Sequence, residues 1–296
     1  MFPKSFEDRY IIHVPSVGRV MGEAFRIYVS QPAVFYLPFL LTNIAVIWIV
    51  GLAKCFLPSF TLTENFSEEF LISLINYLSI AVPIAGALTV AIWTFYSLPY
   101  GIATACTHFL IGGREMSLRK SLGLFLSNVW SVLMVSLAYS FLVVVGTIFL
   151  IFPGLYAFVL FSLSVQVAVI EDAGVIVSFR RSRKLASNYW MRVFLILALT
   201  YLMYGLGYLV GNAVAGENVI ARWLIVSVIT SIMQPLQPIS MTYLYHMLRK
   251  SEETLTQVEL IQSVPVAFNP RFCYKCGQRL PIDAIYCPNC GVKVRE

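Results

Sequence analysis

Four cysteines within the last 24 of the 296 residues carry the clearest chemistry in this sequence. They stand as Phe272-Cys273-Tyr274-Lys275-Cys276-Gly277 and Tyr286-Cys287-Pro288-Asn289-Cys290-Gly291, two C-x2-C pairs with ten residues between them. Such knuckles bring four soft thiolates to the corners of a tetrahedron, the geometry that suits Zn2+, and the glycine after each pair permits the tight turn beneath the ion. Every corner is then taken by protein, so the Zn2+ site expected at Cys273, Cys276, Cys287 and Cys290 is structural. Residues 270–296 are too few for an apolar core, which makes the metal the expected driver of their folding. Disulfides compete as a reading, and an iron centre of rubredoxin type uses the same knuckles. A reducing cytoplasm, argued below from charge, disfavours the disulfides.

A second chemical signal lies in Ile170–Arg192, where five of seven charges are positive. Arg180, Arg181, Arg183 and Lys184 form a basic helix that could hold anionic lipid headgroups, at about 1 kcal/mol per residue near a membrane surface. The same charges would serve equally as topology determinants. Glu171 and Asp172 could grip Mg2+ against a phosphate. The expected role is simpler: Asp172 caps the basic helix and both acids offset neighbouring arginines.

The third signal is Met233-Gln234-Pro235-Leu236-Gln237-Pro238, which interrupts an apolar run near its middle. Helices broken at depth line binding cavities in transporters, so Gln234 and Gln237 are the expected cavity residues. The alternative is a proline kink whose glutamines bond to neighbouring helices. Asn43, Asn76, Gln166, His108 and His246 complete the polar set within or near the spans. No carboxylate or lysine stands at mid-depth, which argues against ion-coupled transport.

The elements that must position these groups are membrane helices. The chain is 58 % hydrophobic and 12 % charged, with mean hydropathy +0.78; soluble domains carry about 25 % charge. Uncharged runs cover Gln31–Ala53, Phe70–Gly113, Ser121–Ile170, Val193–Gly216 and Trp223–Leu248, where a span needs about 20 residues. The expected spans are 33–53, one crossing within 70–113, two within 121–170 divided at Phe152-Pro153-Gly154, 191–213 and 222–248. For 70–113, an interfacial or broken helix is expected before the crossing, with Pro83 and Pro99 as break points. Nineteen of the 21 basic residues then lie on one side, which the positive-inside rule identifies as the cytoplasm, together with both chain ends. The expected location is the cell membrane, and the first span is expected to insert uncleaved.

An internal echo supports this layout. Gly113…Ser117-Leu118-Arg119-Lys120-Ser121…Ser127-Asn128-Val129-Trp130 parallels Gly174…Ser178-Phe179-Arg180-Arg181-Ser182…Ser187-Asn188-Tyr189-Trp190. Each copy reads as a cytoplasmic amphipathic elbow helix followed by a pair of spans, and Gly22-Glu23-Ala24-Phe25-Arg26 is a weaker third copy. Near the N-terminus, Ser16 is the expected cap of a helix ending before Pro32. The expected architecture is therefore an all-α membrane protein: a six-span bundle with elbow helices over 1–250, a linker over 251–269 and a zinc ribbon over 270–296.

About Val17–Glu259 resembles the membrane domain attached to some glycerophosphodiester phosphodiesterases and found alone in other multi-span proteins. The resemblance rests on Glu171, Gly174, Arg181, Ser182 and Leu185 in the elbow and on Leu244-Tyr245-His246-Met247-Leu248-Arg249 closing the last span. It implies a membrane domain without the catalytic step, which in that family belongs to a separate soluble barrel. Met247 stands where the family often has aspartate. The tail is similar to the small zinc ribbons at the ends of many membrane proteins.

The expected function is a non-enzymatic scaffold or lipid-interacting envelope factor. Membrane lipids are its expected partners, and a protein partner is expected through the ribbon. Nucleic acid is disfavoured by the sparse basic cluster of Lys275, Arg279, Lys293 and Arg295. The alternative is a transporter or channel for an amphipathic or lipid-like solute, and a polar cavity beside Gln234 and Gln237 would favour it. The stripe Gly207-x3-Gly211-x3-Ala215 suits close helix packing within the chain or in a homo-oligomer.

Overall fold

The computed structural model describes residues 15–54, 68–113, 118–149, 151–263, 272–281 and 284–294. Contacts divide the chain into two compact units, Met1–Lys250 and Ser251–Glu296. The first unit is helical. Its elements are α1 (Val17–Ser30), α2 (Pro32–Lys54), α3 (Glu68–Ile111), α4 (Leu118–Ser127), α5 (Val129–Phe149), α6 (Ile151–Leu160), α7 (Ser164–Ile170), α8 (Val175–Ser187), α9 (Trp190–Val214), α10 (Val219–Met233) and α11, which runs over Leu236–Ser263. Among the described residues six segments are long and apolar enough to cross a membrane: Pro32–Leu52, Phe70–Ile111, Val129–Ile148, Phe152–Ile170, Trp190–Val214 and Val219–Thr254.

The elements repeat three times as a short elbow followed by a hairpin: α1 with α2 and α3, α4 with α5 and α6–α7, and α8 with α9 and α10–α11. Within each hairpin the two arms pack together, α2 on α3, α5 on α6 and α9 on α10. Between hairpins the pattern closes on itself. The second arm α3 packs on the next first arm α5, α6 packs on α9, and α10 packs back on α2. Three like units are thus linked in a closed cycle of contacts.

Two of those second arms are interrupted. The fourth span breaks at residues 161–163, between α6 and α7, and the sixth breaks at Gln234 and Pro235, between α10 and α11. The break at Pro235 follows from its missing N–H and the clash of its ring with the preceding turn. The expected break in 70–113 is absent. Helix α3 runs unbroken through Pro83 and Pro99, since one lost hydrogen bond per proline is tolerated in an apolar helix of this length. At 1.5 Å per residue it is about 66 Å long. Its first half is largely exposed around its circumference, and packing begins near Trp93.

The hairpin turns differ in detail from expectation. Phe152-Pro153-Gly154 does not form the expected turn but lies inside the first turn of α6, where a proline costs no hydrogen bond. Gly154 is there for contact: a Cβ on it would come within 2.6 Å of the Thr147 backbone nitrogen. The Gly207 stripe is used within the chain, because a Cβ on Gly211 would lie 3.0 Å from Val226 Cα on α10. Ser16 occupies the N-cap position of α1 without making a cap bond, and its helix buries Val20, Ala24 and Tyr28.

The elbows pack by one face. Helix α8 buries Ser178, Ser182, Leu185 and Ala186, and the Ser182 hydroxyl donates to the Leu160 carbonyl at 2.7 Å. Helix α4 buries Ser121 and Phe125, with Asn128 just after it. A core of Val20, Leu163, Val167, Leu185, Ile196, Leu244 and Tyr245 ties the elbows α1 and α8 to the second and third hairpins.

The second unit begins within α11. The linker expected over 251–269 is helical as far as Ser263, and Asn269 lies outside the described residues.

Candidate functional site

Two sites emerge, one in each unit. In the ribbon, the four thiol sulfurs all lie within 4.8 Å of one another. Cys273 Sγ is 3.5 Å from Cys290 Sγ, and Cys276 Sγ is 3.6 Å from Cys287 Sγ. A tetrahedral ion with bonds of about 2.3 Å sets its thiolates about 3.8 Å apart, whereas a disulfide needs about 2.05 Å. The set therefore fits a metal ion and is not cross-linked. Each knuckle is built alike. Gly277 and Gly291 adopt φ of 72° and 68°, conformations open to glycine, and each donates its N–H to the carbonyl of Cys273 or Cys287 at 2.9 Å. Isolated bridges Phe272–Arg279 and Tyr286–Lys293 close the two turns.

The backbone prepares the thiols. Burial of Cys273 opposes its ionisation, but the amides of Cys276 and Lys275 and the neighbouring thiols outweigh it and bring it down to about 6. At Cys287 the Cys290 amide leads the same lowering. Cys290 is pushed up to about 12: the Val292 amide works against this, yet burial and crowding by the other three thiols prevail.

In the bundle, a cavity of about 430 Å³ lies among all three hairpins, and none of the described residues lining it is charged. Its wall includes Phe39 from α2, Trp93, Tyr96 and Tyr100 from α3, Tyr139 from α5 and Ser162 at the α6–α7 break. Tyr201 and Tyr204 of α9 complete it with Gln234 and Gln237 at the α10–α11 break. Both expected glutamines are thus present, beside a broken helix, at one cavity.

The polar groups are organised by the breaks. Asn43 Nδ2 donates to Ser231 Oγ at 2.7 Å and to Gln234 Oε1 at 3.0 Å, while Tyr96 donates to Asn43 Oδ1 at 2.5 Å. Gln237 Nε2 donates to the Tyr201 hydroxyl at 3.3 Å. Gln166 serves the other break: with its amide nitrogen 3.2 Å from the Ser162 and Leu163 carbonyls, its oxygen accepts from Tyr100 at 2.8 Å. Of the remaining polar residues near the spans, Asn76 is exposed on the first half of α3. His108 Nδ1 and His246 Nε2 meet at 3.1 Å, half-buried between α3 and α11.

The basic elbow divides. Arg180, Arg183 and Lys184 are exposed on α8, whereas Arg181 is half-buried and turned to Glu171 at 3.5 Å. Glu171 also accepts from the Tyr245 hydroxyl at 2.5 Å and lies 4.0 Å from Arg249. It is thus a clasp joining the end of α7, the elbow α8 and the last helix. Asp172 does not cap α8; Gly174 holds that position, and Asp172 sits in the turn before it at φ 51°.

The sequence reading missed the tyrosines. Their signal was available: Tyr96, Tyr100, Tyr139, Tyr201 and Tyr204 stand inside apolar runs, away from the interfacial belts that normally collect tyrosine. Comparison with protein-family models, curated proteins and solved structures yields no match to this chain. The molecule is accordingly defined by its own features: a helical multi-pass membrane protein with a four-cysteine site able to hold a metal ion.

Proposed function

We propose that this protein binds an amphipathic, lipid-like solute within its membrane bundle, as a carrier or channel does, while a cytoplasmic zinc ribbon forms a separate structural domain. One observation carries the reading: both interrupted second arms and the unbroken third meet at a single cavity containing Gln234 and Gln237. Interrupted helices at corresponding positions of repeated units are what solute sites in membranes are built from. A purely scaffolding bundle has no use for such a space. Glu171, the strongest acid–base candidate in the sequence, is engaged by Tyr245 and Arg181, which supports a non-enzymatic role.

Zinc is the ion the four-thiolate set suits best, and it would be held by Cys273, Cys276, Cys287 and Cys290. The exposed aromatics Phe272, Tyr274 and Tyr286 on the ribbon support a second role, docking of a protein partner. The cell membrane, with both ends cytoplasmic, is the location that the basic elbows favour.

The test is Ser136→Phe, which fills the cavity from α5. Native mass spectrometry of gently extracted wild-type protein is expected to show a retained amphipathic molecule that the variant has lost. Equal retention in both would sink the cavity reading. A membrane-impermeant thiol label should leave the ribbon cysteines unmodified in sealed cells; labelling there would reverse the orientation.

A further inference from the structure

The three elbows bury one face alike and differ on the other. On α4, away from buried Ser121 and Phe125, the open side carries Arg119 and Lys120 together with Leu122 and Leu126. On α8, away from buried Ser178 and Ser182, it carries Arg180, Arg183 and Lys184 together with Ile176. Neither helix contains an acidic residue. Helix α1 also exposes apolar residues, Phe25 and Val29, but its Arg26 is met by Glu23 at 2.9 Å. Two elbows therefore present cations with no carboxylate on the same helix, and the third neutralises one of its own.

Two tryptophans fix the depth of the unneutralised pair. Trp130 stands three residues past the end of α4 and Trp190 three past the end of α8, each at the start of the span that follows, and both are exposed. An exposed indole at the end of a span marks the headgroup level of a bilayer. A helix ending beside it lies where hydrocarbon meets phosphate, so its leucine or isoleucine reaches acyl chain while its arginines and lysine reach phosphate. A face that mixes these two kinds of residue at that one depth is matched by a phospholipid, which brings both chemistries in one molecule.

We propose that the open faces of α4 and α8 each hold an anionic phospholipid, whereas α1 holds none preferentially. The assignment is independent of the cavity reading. It adds a site at α4 and gives the lipid a structural part. Helix α4 packs on α3 and α7, and α8 packs on α7 and α9, so each lipid lies along an elbow that joins neighbouring hairpins, and its binding steadies the bundle.

The test uses full-length protein in nanodiscs of phosphatidylcholine with or without phosphatidylglycerol, read by thermal unfolding and by native mass spectrometry of the lipid retained on release. Phosphatidylglycerol is expected to raise the unfolding temperature and to be retained at least about tenfold over phosphatidylcholine. Arg119→Gln with Lys120→Gln is expected to weaken retention at one site about 25-fold, a factor of about five for each basic residue near the surface. Arg26→Gln, on α1, is expected to leave retention unchanged. Ser136→Phe, which fills the cavity, is expected to leave it unchanged too. Equal retention of the two lipids overturns the proposal and leaves these faces to an acidic protein. Equal losses from the α1 and α4 variants overturn it, as does loss in Ser136→Phe, which would put the lipid in the cavity. Displacement by inorganic phosphate also overturns it, by marking a bare anion site. The headgroup comparison on the wild-type protein decides the matter even where a variant fails to insert.

Discussion

The bundle and the ribbon are ordered by opposite means. In the bundle, order comes from many weak contacts among residues that lipid would solvate almost as well, so polar clasps and small-residue approaches decide which helices meet. In the ribbon the apolar cluster amounts to Cys273, Leu280 and Cys287, with a few partly buried neighbours. Four sulfurs must do what a core does elsewhere. One unit should fail gradually when single residues change, and the other all at once.

The sharpest way to break this contrast is at the sulfurs. Cys287→Ser, or removal of metal by a chelator, is expected to abolish bound zinc and unfold residues 272–294, since structural zinc couples about 10 kcal/mol to folding. Limited proteolysis should release the tail while the helical circular dichroism of the bundle persists. The pH dependence has a definite sign. Cys273 and Cys287 are held below the ordinary thiol range, whereas Cys290 is raised. A metal ion held by these thiolates would displace a proton from Cys290, so uptake should release protons and weaken as pH falls, which a weakly buffered titration would record.

Smaller effects sharpen the bundle side. Changing Arg180, Arg183 and Lys184 together to Gln should reduce retention of anionic lipid by about 1 kcal/mol per residue, measured by native mass spectrometry. Arg181→Gln should leave that retention unchanged and lower thermal stability. Glu171→Gln withdraws the charged acceptor shared by Tyr245 and Arg181, and a cost of about 2 kcal/mol is expected by thermal or denaturant unfolding. The smallest change pairs the two elbows. Ser182→Ala should cost about 1 kcal/mol by losing its bond to the Leu160 carbonyl, and Ser121→Ala, where no such carbonyl bond exists, should cost less.

How much of this the sequence disclosed follows the range of the forces involved. Cysteine spacing is a local signal, and Cys273 through Cys290 came together as read. Apolar run length is local too, and the six spans and the elbows α4 and α8 lie where the charge pattern put them. The break at Pro235 was legible because two prolines and two glutamines mark it. The break between α6 and α7 was not. Phe161-Ser162-Leu163 has no proline or glycine, and the interruption is held by Gln166 from within the fold. Pro83 and Pro99 misled for the converse reason: a proline signals a lost hydrogen bond, and only the surroundings decide whether the helix yields. Arg181 shows the same limit, since nothing in its neighbours' types reveals that it faces Glu171 while Arg180 and Arg183 face outward.

With two crossings in each, the three elbow-hairpins would all enter the membrane from the same side and in the same sense. Transporters assembled from an inverted pair can expose their site to either compartment by letting the two halves trade shapes. A trio of like-oriented copies would have to do so by rocking against one another instead. A solute held in this bundle would leave by a loosening between neighbouring copies, and the two interrupted arms, whose helices are already broken at 161–163 and at Pro235, are where such bending disturbs the fewest backbone bonds.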